Sequence, residues 1–101
     1  MPSIRLETET GQVLEEVGDV EHILQRLVRR VGVGRLLLLA YLDPYGDLVL
    51  NKWQIPDLLK DLEKLSTVAE SPKDSNLISE TQRLARRCEE KMHVYLRFFG
   101  D

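Results

Sequence analysis

Cysteine is nearly missing from this sequence. One thiol, Cys88, in 101 residues cannot close an internal disulfide. Stability must then come from a packed core, and a reducing compartment, the cytoplasm, is the expected setting. Long apolar runs are missing too. The longest, 36–42, has seven residues, whereas a membrane-spanning helix needs about 20. The start, Met1-Pro2-Ser3-Ile4-Arg5, lacks the basic opening and apolar stretch of a secretion signal. No membrane partner is expected.

Ligand-bearing residues are equally scarce. His22 and His93 are the only histidines, and with one cysteine they are too few for a usual zinc site. No P-loop, nucleophile-elbow or metalloprotease spacing occurs. Gly32-Val33-Gly34 follows a helical pattern and precedes an apolar run. A dinucleotide fingerprint needs the opposite order and a third glycine. Basic charge is not in excess either: 14 Lys and Arg stand against 17 Asp and Glu, a net of −3. Nucleic-acid domains are usually net basic, so nucleic acid is not the expected partner. No catalytic set, cofactor site or metal site is expected, and the chain is not read as an enzyme.

What is present is an ordinary globular composition, 43% apolar and 31% charged. A chain this size supports one domain, 1–101, that buries roughly 65% of its unfolded surface. In size and acidity it is similar to many small bacterial proteins, a likeness that assigns no activity. Charge is segregated. Residues 1–25 hold six acids against Arg5, and residues 26–35 hold Arg26, Arg29, Arg30 and Arg35 with no acid. Acids at a helix start and bases at its end match the helix dipole.

Periodicity gives the elements. Residues 3–9 alternate apolar and polar and predict a half-buried strand. Thr10-Gly11 predicts a tight turn, and 13–17 a returning strand; a two-residue loop sets Arg5 opposite Glu16, and other registers stay open. Asp19 is a good N-cap for a first helix with stripe Val20, Ile23, Leu24, Leu27, Val28 and Val31. Gly32 and Gly34 end it. The run 36–42 predicts a buried strand, Asp43-Pro44-Tyr45-Gly46 a type I turn, and 47–53 its partner. A second helix opens at Pro56 with stripe Leu58, Leu59, Leu62 and Leu65, and Asp57, Lys60, Asp61 and Lys64 as exposed ion pairs. A third runs from about 75 to 99 along a heptad seam of Ile78, Thr81, Ala85, Cys88, Met92, Tyr95 and Phe99. Its last stretch, 93–98, is also rich in strand formers. The expected fold is α+β in the order ββαββαα, a four-stranded, mainly antiparallel sheet packed by three helices.

In that fold the 36–53 hairpin is apolar on both sides. Either the chain's own helices cover both, or a partner covers one. The candidate interface residues are Leu37, Leu39, Tyr41, Val49 and Trp53, and the partner is another protein or a second copy. The leading function is a protein-interaction module. An inhibitor-like form would use the acidic run 7–21 to hold a basic partner. The alternatives are an enzyme using Asp43, Tyr45, Asp47 and a histidine, and weak nucleic-acid binding through Arg26, Arg29, Arg30, Arg35, Arg83, Arg86 and Arg87.

Overall fold

The computed structural model describes residues 2–100. Strand β1 (Ser3–Thr8) buries Ile4 and Leu6, and β2 (Val13–Gly18) returns beside it with Arg5 opposite Glu16, the expected register. A bulge between Leu6 and Glu7 then absorbs the turn around Gly11, whose φ of 90° suits glycine. After α1 (Ile23–Val31) the chain runs irregularly to β3 (Asp47–Leu50). Helices α2 (Ile55–Ser66) and α3 (Pro72–Glu90) follow, and β4 (Val94–Phe99) ends the fold.

The fold is α+β: one four-stranded antiparallel sheet in the order β2-β1-β4-β3 with three helices. The pairings put Ile4, Leu6, Leu50, Val94, Leu96 and Phe98 on one face, all buried. Helix α3 crosses that face against β1, β2 and β4, with α2 beside it and α1 against both. The opposite face of the sheet is open.

Two segments differ from expectation. Residues 36–42 form no strand. The N–H groups of Leu37, Leu38 and Leu39 donate at 2.9, 2.7 and 2.9 Å to the carboxylate of Asp61 on α2, so they are withdrawn from any ladder. The backbone tightens into 3-10 turns at Val33–Arg35 and Leu39–Tyr41. Leu36 and Leu39 point inward at the three-residue period of that geometry. Asp61 is therefore fully buried rather than part of an exposed ion pair. The partner segment keeps only Asp47–Leu50 as strand, at the sheet's edge beside β4. The doubly covered hairpin does not form.

The second difference is the end of the third helix. Ile78, Thr81, Ala85 and Cys88 do line its buried seam. The helix stops at Glu90, His93 takes a left-handed φ of 59°, and the chain turns into β4. Buried Val94, Leu96 and Phe98 alternate there with part-buried Tyr95, Arg97 and Phe99, and β4 completes the centre of the sheet between β1 and β3.

Smaller shifts share one cause, a carboxylate seeking backbone donors. Helix α1 starts at Ile23, after His22 in a left-handed conformation, because Asp19 reaches forward to the N–H groups of Ile23 (2.7 Å) and Leu24 (3.0 Å). Val20 thus lies before the helix and is exposed. Asp74 on α3 is buried. It accepts from the Glu70 N–H at 2.9 Å and from Arg26 Nη2 at 2.5 Å, clasping α1 to α3.

Candidate interaction surface

The open face of the sheet neutralises its own charge. Arg5 pairs with Glu16, and Arg97 reaches Glu7 Oε1 at 3.2 Å and Asp47 Oδ2 at 3.0 Å. Both guanidinium groups lie over the Phe99 ring, at 4.1 and 5.3 Å. The hydrogen bond from Arg5 holds the Glu16 carboxyl below its ordinary value.

One end of the sheet is different. Strand order fixes what meets there: Glu9 follows β1, Met92 and His93 precede β4, and Lys52 and Trp53 follow β3. Trp53 is turned outward by a capping box. Asn51 Oδ1 accepts from the N–H groups of Trp53 (3.1 Å) and Gln54 (3.2 Å), and Gln54 Oε1 accepts from the Asn51 N–H (2.9 Å). Trp53, the sole tryptophan, is 80% exposed, and Met92 is 72% exposed. With Tyr95, Lys52 and His93 they line a groove of about 280 Å³. Tyr95 also lines a second groove, of about 470 Å³, with Val49, Glu9 and Arg97. Val49, Tyr95, Met92 and Trp53 thus border two grooves that share Tyr95. Across the end, His93 Nδ1 lies 3.3 Å from Glu9 Oε2, and the Glu9 N–H donates to the His93 carbonyl at 3.1 Å.

Of the five candidate interface residues, Val49 and Trp53 come onto one surface, bridged by Tyr95. Leu37 and Tyr41 are exposed on the segment before β3, outside those two grooves. Leu39 is fully buried and belongs to the core. Sequence reasoning missed Met92 and Tyr95 as surface residues because it set both on the helix seam. The signal was the run of strand formers from His93 onward.

The residues of the enzyme alternative are gathered only in part, His22 bordering one crevice with Asp43 and a second cleft with Tyr45. Asp43 Oδ1 accepts from the Tyr45 N–H at 2.8 Å, a turn's own bond, and Asp47 holds Arg97. His22 and Asp43 line a crevice of about 20 Å³, room for about one water. Tyr45 borders a separate cleft with His22, Arg26, Arg29 and Arg30. Cys88 is buried, and burial pushes its thiol up to about 11, so it packs as a small hydrophobe. Among the described residues no group of three or more His, Cys, Asp or Glu gathers as metal ligands, and no helix is long and apolar enough to cross a membrane.

Four of the seven clustered arginines are paired within the molecule. Arg26 and Arg30 hold Asp74 and Glu70, and Arg83 and Arg87 hold Glu15. The acidic run is tied down in a similar way: Glu7, Glu15 and Glu16 face arginines, and Glu21 faces Lys73 at 3.0 Å. No known family, curated protein or solved structure matches the chain.

Proposed function

We propose that the chain is a non-enzymatic, cytoplasmic protein-interaction module whose binding surface is the strip Val49–Tyr95–Met92–Trp53. One observation carries this reading: the only tryptophan stands 80% exposed in a groove with an exposed methionine. Folding gains nothing by leaving an indole in water. Clustered apolar side chains on a surface mark interaction sites, and Trp and Tyr are enriched at binding hot spots. The inhibitor-like form has less support, since most of the acids it would use already have cations of their own.

A photo-activatable benzophenone residue at position 53 tests the reading. Irradiation in the source cells is expected to give protein adducts from position 53 and none from position 89, an exposed helix site. Equal, weak labelling from both positions would remove the reading.

A further inference from the structure

The end of the sheet that carries Trp53 is ordered in charge as well as exposed. Across the strands β1, β4 and β3 the sequence of groups is acid, apolar, base: Glu9, then Met92 beside His93, then Trp53 and Lys52. Two strand spacings, about 10 Å, separate the acid's strand from the base's. Among the described residues Lys52 has no carboxylate partner, and its ammonium lies 5.9 Å from the Trp53 ring centroid. Glu9 faces only a histidine, while Glu7, Glu15, Glu16 and Glu21 are each held by an arginine or lysine.

A row with one unmatched sign at each edge and grease in the middle is complementary to itself under a half-turn. An isologous contact pairs residue i with j and j with i across the axis. With the axis at the middle strand, through Met92, Glu9 of each copy meets Lys52 of the other. Each indole then lies at the edge of the contact, beside its own Lys52 and over the Glu9 side of the other copy. No second protein is needed to supply either the apolar surface or the opposing charges.

We propose that the chain forms a twofold homodimer through this end, with Met92 on the axis and a Glu9–Lys52 pair flanked by Trp53 at each edge. The proposal rests on the interaction-module reading and names its partner as a second copy.

Charge exchange tests it, with sedimentation equilibrium from micromolar to millimolar concentration as the readout. Wild type is expected to dimerise, with the Trp53 emission maximum moving to the blue as the dimer fills. Glu9→Lys and Lys52→Glu each set like charges together at both edges and should weaken the dimer about tenfold. The double variant should recover wild-type affinity. The decisive result is the mixture: the two single variants, each poor alone, should pair with one another, because both of their edges then match. Both positions lie at the surface, and far-UV circular dichroism checks that the variants fold. A wild type that stays monomeric at millimolar concentration overturns the proposal, as does a mixture that pairs no better than its components. Adducts from position 53 to other proteins, with a strictly monomeric chain, would sink the dimer and leave the interaction reading standing. No adducts and no dimer would remove both.

Discussion

The two ends of the sheet are built to different rules. At the end where β1 begins and β4 finishes, backbone closes on backbone. The Asp19 N–H donates to the Pro2 carbonyl at 2.8 Å, and the Gly100 N–H to the Gly46 carbonyl at 2.9 Å. Gly100 lies so close under the Asp43–Gly46 turn that a Cβ there would fall 2.1 Å from the Asp43 carbonyl oxygen. The chain entering this turn is gripped upstream by Asp61. At the other end, Trp53 and Met92 stand in water and contribute little to folding. The contrast teaches how unevenly folding constrains the sequence: packing dictates the residues at the closed end, whereas the open end carries apolar side chains that packing does not require.

The sharpest way to break this contrast is to remove the grip. Asp61→Leu leaves three N–H groups without an acceptor where they are part-buried or buried. At about 1–3 kcal/mol each, the loss should be on the order of 4 kcal/mol or more, read as a collapse of the urea midpoint. Asp61→Asn, which keeps one acceptor oxygen, should recover part of it. Gly100→Ala comes next. Its methyl meets main chain that cannot swing aside, and a loss of about 2–3 kcal/mol is expected from the same titration.

Asp74 sharpens the contrast through pH. Its carboxyl is held below the ordinary 3.8, first by the Glu70 N–H and then by Arg26. A depressed folded value means the stabilisation is complete above the ordinary value and disappears as pH falls through the depressed one. Asp74→Asn should be less stable at neutral pH by about 1–3 kcal/mol and should lose that share of acid sensitivity. Thermal melts of both proteins from pH 7 down to pH 2 check the sign. The smallest effect belongs to the open end. Trp53→Ala should change stability by less than about 0.5 kcal/mol while abolishing association, a split that a core residue would not give.

Much of the fold could be read from residue pattern alone. Alternation gave β1, the Thr10-Gly11 turn gave β2 with Arg5 opposite Glu16 as one of the open registers, and the leucine spacing gave α2. The errors came where polar atoms overrule apolar pattern. Leu36 to Leu39 look like a strand to any count of hydrophobicity, and what undoes the strand is a carboxylate 22–24 residues away. Asp61 did leave a trace: it sits at the stripe spacing of Leu58, Leu62 and Leu65, on the buried side of its helix. The candidate surface was half legible. Trp53 and Val49 were chosen for sharing a face in a hairpin that does not form, and they meet instead through Tyr95, whose position depended on reading β4 as strand.

The placing of β4 sets the order in which the molecule can be made. It is the last element of the fold, yet it lies between β1 and β3. During synthesis the inner edge of β1 stays unpaired, and β3 has no strand partner, until β4 has emerged. The sheet therefore closes in one late step, and a ribosome stalled before residue 94 would hold a chain that exposes two unpaired edges to whatever chaperone is near.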